Sequence, residues 1–302
     1  MVCLSPASAV VKNKDRGLRL AFTQLRLKNR QFMFWRLFLC IGGTMVFWGS
    51  IAHTDDTPRW GRARSLTAVF SSREGASGVV SPDHCGQVRT LEFVALPDTV
   101  FSIVGADGDG RIFEVATTEY IPPRGKRLYL SAQNLNLSPF PLQDPIRKRP
   151  TVDRMLDTMT SAVGVPYVWG ANSRTGVFVA GLNRFAGLDC SGLLYEASAG
   201  TTPRNTEQLV RFGWGVPIAG LAPRDVARLL KPLDLIVWNG HVLIVGRDGQ
   251  VFESILRCGS KQFSGVVMRP LYERLYEIAR NRRAADVWTG GKEYVVRRWV
   301  SP

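Results

Sequence analysis

The chain has 302 residues, 45% of them hydrophobic, and a formal net charge of +14. Length and apolar fraction suit one large domain or two modest ones with a sizeable core. The charge does not mark a nucleic-acid binder: eight Lys or Arg against one Asp fall within residues 1–36, so half the excess precedes the core. The five cysteines, Cys3, Cys40, Cys85, Cys190 and Cys258, fit neither a metal-ligand spacing nor a dense disulfide framework, and no metal is expected.

Residues 37–52 are an uncharged apolar run directly after the basic block. A spanning helix needs about 20 apolar residues and a signal-peptide core roughly 7 to 15, and this run lies between them. Ser50 and Ala52 occupy the small positions of an A-x-A-like cleavage site. Residues 1–52 are therefore expected to be a basic flank with a signal peptide or a retained anchor, placing the chain in the envelope or periplasm. Cleavage would leave His53 at the mature start. Met33 is a second candidate start, because Met33-Phe34-Trp35-Arg36 and the run make a compact signal. In an exported chain Cys85 and Cys258 could pair; two reduced, buried thiols are the favoured reading.

Residues 53–78 are polar and without period, and read as a linker. Strand-like runs follow at 88–95, 100–104, 112–116 and 127–130, separated by Pro97-Asp98, Asp107-Gly108-Asp109-Gly110 and Pro122-Pro123-Arg124-Gly125. Short strands at this spacing predict a small all-β barrel over residues 79–141. The Asp107 to Gly110 string reads as a hairpin turn, since no carboxylate follows at the spacing of a calcium loop. Residues 142–302 form the second domain, entered through a connector over 142–149.

Residues 151–162 have helical spacing, with Val152, Met155, Leu156 and Met159 on one face. Tyr167 and Trp169 then lie in an extended segment, where Trp169 reads as packing. In Gly187-Leu188-Asp189-Cys190-Ser191-Gly192-Leu193-Leu194 a loop runs into a helix, with Cys190 in its first turn and Asp189 at the N-cap. Residues 206–212 predict a third helix, 271–285 a fourth, and 294–300 a closing strand. Over 235–245 two apolar runs flank Asn239-Gly240, which predicts a hairpin with a two-residue type I′ turn and His241 opposite Trp238. The other two histidines, His53 and His84, lie in polar segments outside any motif. The fold class is α+β.

Val165-Pro166-Tyr167-Val168-Trp169-Gly170, Asp189-Cys190-Ser191-Gly192, Pro203-Arg204-Asn205-Thr206 with Gln208, and Leu233-Asp234 running on to His241 resemble, in this order, the NlpC-type cysteine peptidases of bacterial cell walls. The resemblance covers roughly residues 150–300. It implies a papain-like domain with the nucleophile helix packed on an antiparallel sheet. The run Leu96-Pro97-Asp98-Thr99-Val100 also resembles the Src-homology-3-like barrels that precede many such domains. Two departures stand out: Leu233 replaces the family's usual glycine, and the gap from Gly170 to Asp189 is long, which predicts an inserted loop beside the site.

The resemblance implies a peptidoglycan endopeptidase cutting stem peptides at the γ-D-glutamyl–diaminopimelate bond. Cys190 would be the nucleophile and His241 the proton carrier, with no metal or organic cofactor. Tyr167, Asp189 and Ser191 would contact substrate; Asp189 could be cap, contact or both, and Arg204 a surface charge or a substrate contact. The alternatives are an N-acetylmuramoyl-L-alanine amidase with the same thiol chemistry and a non-enzymatic wall-binding protein. The orienting group for His241 is assigned to Glu253. A two-residue turn at Asp248-Gly249 would set the two side chains on opposite faces. A three-residue loop, Arg247-Asp248-Gly249, sets Leu243 opposite Glu253 and brings Glu253 beside His241. The partner is a peptidoglycan stem peptide; nucleic acid is not one, and a membrane is met only through residues 37–52 if they are retained.

Overall fold

The computed structural model describes residues 59–300, so the export segment and His53 lie outside the described residues. Among the described residues no helix is long and apolar enough to cross a membrane. The first layer contains β1 (Trp60–Ala63), β2 (Thr67–Phe70), α1 (Arg73–Ala76), β3 (Leu91–Ala95), β4 (Val100–Ala106), β5 (Ile112–Ala116), β6 (Leu128–Ser131) and β7 (Leu135–Ser138). The strands form one sheet in the order β3-β2-β6-β5-β4-β1-β7. Ala63, Val69, Phe93, Phe101, Phe113, Leu128 and Leu135, one from each strand, meet in a single buried cluster. Strands stand about 4.8 Å apart, so a flat sheet would hold its outer strands too far apart for this; the sheet is rolled.

Within the segment read as a linker, residues 60–63 and 67–70 are strands of this sheet. β1 pairs with β4 and β7, and β2 with β3 and β6. The polar composition misled because Arg62 and Arg64 point their charged ends outward while Gly61, Ala63 and the 67–70 run are buried. Ser72 caps α1 by accepting from the Gly75 N–H.

The second layer begins with α2 (Val152–Ser161), capped by Thr151. Then come β8 (Asn172–Ser173), β9 (Val177–Val179), β10 (Leu182–Arg184), β11 (Gly187–Leu188), α3 (Cys190–Ala197), α4 (Thr206–Leu209), β12 (Trp214–Val216) and α5 (Pro223–Leu229). β13 (Leu235–Trp238), β14 (His241–Val245), β15 (Gln250–Ile255), β16 (Gly265–Pro270), α6 (Leu271–Ala279), β17 (Arg283–Ala284) and β18 (Glu293–Arg298) complete it. The main sheet runs β12-β18-β13-β14-β15-β16, antiparallel throughout, with β17 alongside β18. Strand alternation divides its side chains. Leu235, Val237, Val242 and Ile244 pack under α2 and α3, whereas Ile236, Leu243, Val245 and Val251 pack under α5 and α6.

The long gap before Asp189 holds the β9–β10 hairpin. Its Val177 and Val179 join Ala68, Phe70 and Ala76 of the rolled sheet. The Phe185 ring meets Phe70 edge-on at 5.9 Å. An inserted loop was expected beside the site; the buried valines of its hairpin pack on the N-terminal sheet, and Ala171 and Asn172 at its start bind Arg204.

Cys85, in the β2–β3 connection, and Cys258, between β15 and β16, form a disulfide with Cα atoms 5.2 Å apart. The reading of two reduced thiols is corrected. The pairing spans 173 residues and is set by the docking of the two layers, which spacing alone does not reveal.

Leu233 stands at φ 70°, where a glycine would be relaxed and a leucine is strained. Its side chain is nevertheless fully inside the α2–α3 core. Leu233→Gly should relieve about 1–2 kcal/mol of backbone strain and lose about 2–5 kcal/mol of packing, a net destabilisation. A shift of the denaturant midpoint to lower concentration checks the sign.

Candidate active site

The β13–β14 hairpin pairs Trp238 with His241, as the sequence implies. Its turn is not type I′: only Gly240, at φ 101°, is left-handed, and Asn239 is not. The Gly240 N–H donates to Thr206 Oγ1 of α4 at 2.8 Å, a tertiary bond that local turn rules do not contain.

β14 pairs with β15 in the register Ile244↔Phe252 and Val245↔Val251. That sets Leu243 opposite Glu253, the register of the three-residue loop. The route combines both alternatives. Asp248 and Gly249 are both left-handed, at φ 51° and 67°. Gln250 N–H closes the turn on Arg247 O, and Gly246 N–H donates to Gln250 O. Gly246 and Arg247 thus both face Gln250, so a two-residue turn plus a bulge gives the three-residue register. His241 Nε2 and Glu253 Oε2 are 3.0 Å apart.

Glu253 is 1% exposed. Besides His241 it accepts from Arg274 of α6, Nε to Oε1 at 3.0 Å and Nη2 to Oε2 at 3.1 Å. Arg274 continues to Glu277 at 3.1 Å, and Glu277 to Arg269 at 2.9 Å. Burial works to raise the Glu253 pKa, but the bonds to His241 and the charge of Arg274 hold it below the usual carboxylate range. Burial likewise works to lower the imidazole pKa. Hydrogen bonds and charge from Cys190 and Glu253 outweigh it, and His241 is pushed up to about 9. With Nε2 committed to Glu253, Nδ1 is the nitrogen left for the Cys190 thiol. The Trp238 ring covers the imidazole at 5.2 Å and carries Arg282 at 4.4 Å.

Cys190 is buried at the first position of α3, where a helix leaves its amide groups unpaired. Asp189 caps the helix, Oδ1 accepting from the Gly192 N–H at 2.6 Å and Oδ2 from the Gly170 N–H at 3.0 Å. Ser254 Oγ on β15 donates to Leu188 O at 2.7 Å, tying the strand of Glu253 to the turn before Cys190. Tyr167 is half-buried beside them; burial first, and then the negative charge of Asp189 and Cys190, raise its pKa.

Arg204 is 2% exposed and is not a surface charge. Nε donates to Asn172 Oδ1, Nη1 to Asp189 Oδ1 and Ser191 Oγ, and Nη2 to Ala171 O and Asp189 Oδ2. All five N–H donors of the guanidinium are used, so none is left for a substrate. The direct-contact reading is corrected: Arg204 holds Asp189 and Ser191 in place. Burial opposes its charge, and Asp189 restores it.

Asn172 links this network to the rolled sheet. It accepts from Val94 N at 3.1 Å and donates to Val94 O at 2.9 Å, filling the free edge of β3. Tyr195 of α3 adds a bond to Glu119 at 2.8 Å, and Arg147 one at 2.6 Å. Asn172 and Arg274 escaped sequence reasoning because each acts through a partner on a distant element. Cys190, His241, Glu253, Tyr167, Asp189, Ser191 and Arg204 are all brought to one region.

An NlpC/P60 family protein from Bacillus cereus is similar over 82% of this chain and 65% of its own, with 20% identity and a TM-score of 0.33. The peptidoglycan hydrolase RipB of Mycobacterium tuberculosis is 26% identical over 50% of this chain and 65% of its own, with a TM-score of 0.32. RipD of the same organism, described as a non-catalytic NlpC/p60 domain protein adapted to peptidoglycan binding, is 22% identical over 51% of this chain and all of its own, with a TM-score of 0.32. The family that the sequence motifs resemble is the one to which these structures belong. The chain spans 65% of the length of the first two. No family model and no curated protein matches the chain.

Proposed function

We propose that the chain is an exported NlpC-type cysteine peptidase that hydrolyses peptidoglycan stem peptides at the γ-D-glutamyl–diaminopimelate bond. The observation that carries this reading is the His241–Glu253 pair, 3.0 Å apart on two neighbouring strands, with Cys190 at the first position of α3 electrostatically coupled to the imidazole. In this reading the Cys190 sulfur attacks the amide carbonyl, and His241 gives its proton to the leaving amine. The Cys190 N–H at the helix start helps hold the oxyanion. Water then releases the acyl group with His241 as base. Asp189 and Ser191 face the free amino end of the peptide, and the N-terminal rolled sheet acts as a Src-homology-3-like barrel. The Cys85–Cys258 disulfide fits an oxidising compartment outside the cytoplasm.

Digesting purified wall fragments and weighing the products tests the bond. Products ending at D-glutamate with a new diaminopimelate amino terminus support the proposal. Release of L-alanine-headed peptides from muramic acid would identify an amidase instead, and no release would favour a binding protein.

Glu253→Gln separates an orienting role from a structural one. Glu253 is one of two groups that lift His241, so its loss should move the imidazole titration down from about 9, and the alkaline limb of kcat/KM with it. The sign for stability follows: a histidine raised above its free value of about 6.5 adds stability that is complete below that value and lost as pH rises through about 9. Turnover should fall about a hundredfold. Proton NMR titration of the imidazoles, of which the chain has three, reads the shift directly. A titration left at its wild-type position would remove Glu253 from the mechanism.

A further inference from the structure

Arg89 differs from the other guanidinium groups around the site. It enters from the rolled sheet's β2–β3 connection, and its Nε donates to Asp83 Oδ2 at 2.6 Å. Its plane lies over the Trp169 ring at 4.4 Å. These contacts leave both Nη groups without a protein partner among the described residues, and the side chain is 40% exposed. By contrast, Arg204 spends every donor, and Arg274 binds through Nε, Nη1 and Nη2.

The surroundings hold this free fork still. Asp83 Oδ1 accepts from Cys85 N and Gln87 N, each at 2.8 Å. Gln87 Oε1 accepts from the backbone N–H of Trp169 at 2.9 Å, joining the loop to the residue under Arg89. Cys85 is bridged to Cys258, in the loop that follows the strand of Glu253. Trp169 is followed by Gly170, whose N–H donates to Asp189 Oδ2 at 3.0 Å, so the platform under Arg89 adjoins the turn that carries Cys190. An ordered guanidinium with two outward NH₂ groups matches a carboxylate, and its immobilisation lowers the entropy lost on binding.

We propose that Arg89 binds the free α-carboxylate of the glutamyl residue on the acyl side of the scissile bond. This rests on the stem-peptide reading above. A γ-linked glutamyl residue supplies its side-chain carbonyl to the thiol and leaves its α-carboxylate a few bonds away. An α-linked residue has no carboxylate there. Arg89 thus selects for the γ-linkage and for a free acid over a primary amide. The Cys85–Cys258 bridge and Asp83 serve to aim it.

The test compares two synthetic L-alanyl-γ-D-glutamyl-diaminopimelate tripeptides, one with a free glutamyl α-carboxylate and one with a carboxamide there. All other carboxylates are common to both, so the ratio of affinities isolates this group. Calorimetric binding to the full chain carrying Cys190→Ala should favour the acid by about ten- to a hundredfold, the range for a charge-assisted pair. Adding Arg89→Gln should bring the ratio near one, and Arg89→Lys, which lacks the fork, should restore only part of it. A preference that survives Arg89→Gln, or an absent preference in the Cys190→Ala chain, overturns the role of Arg89 and leaves the stem-peptide reading standing. Failure of both peptides to bind overturns both.

Discussion

Cys190→Ala is expected to lower stem-peptide hydrolysis by about 10⁴-fold or more while leaving the protein folded. The expectation follows from position rather than from the thiol alone. Cys190 is the free cysteine among the described residues and is buried at the start of α3. It is electrostatically coupled to the His241 imidazole, which is itself held 3.0 Å from a buried carboxylate. Among the described residues no other cysteine thiol is free, so none can take over the first step. Alanine keeps the Cβ and removes one sulfur, and the α3 core of Leu193, Leu194 and Ala197 is untouched. The thermal midpoint should therefore change little. Hydrolysis of a stem peptide, followed by mass, and a melting curve on the same sample check both halves.

Arg204→Gln is expected to cost about 3–5 kcal/mol of stability, the scale for breaking a buried ion pair by removing one partner. Asp189 would stay buried with its charge uncompensated, and Ser191, Asn172 and Ala171 would each lose a donor. The loss is structural and catalytic together. Asp189 caps the helix that presents Cys190, and Asn172 joins Arg204 to the edge of β3. Arg204→Lys should fail similarly, because three ammonium donors cannot replace a five-donor fork. For a protein of this size the midpoint should fall by about 5–10 °C. A midpoint within a degree or two of wild type would show that the network is dispensable.

Much of the site was legible because its signals are local. Asp189 and Cys190 fall where cap rules put them, and the alternation of residues 235–245 fixes His241 opposite Trp238. The register that brings Glu253 to His241 was legible too, because period-two alternation leaves two possibilities and only one is productive. Its environment was not. Glu253 lies in a buried ion network, so Glu253→Ala should destabilise the fold as well as slow turnover. The strands at 60–63 and 67–70 were missed because segments as short as Trp60–Ala63 give too few alternations to recognise. The Cys85–Cys258 bridge, the anchoring of Gly240 on Thr206 and the burial of Arg204 share one cause. Each depends on which distant elements pack together, and no local pattern encodes that.

The central claim is that Cys190, armed by His241 and Glu253, attacks the carbonyl of a bound stem peptide. Its most direct measurement is the intact mass of the protein after incubation with a stem-peptide analogue carrying an electrophilic ketone at the scissile position, followed by peptide mapping. The account predicts one equivalent of adduct, located on Cys190, formed far more slowly in His241→Ala and absent in Cys190→Ala. An adduct on any other residue, or none under conditions where the analogue binds, would contradict it.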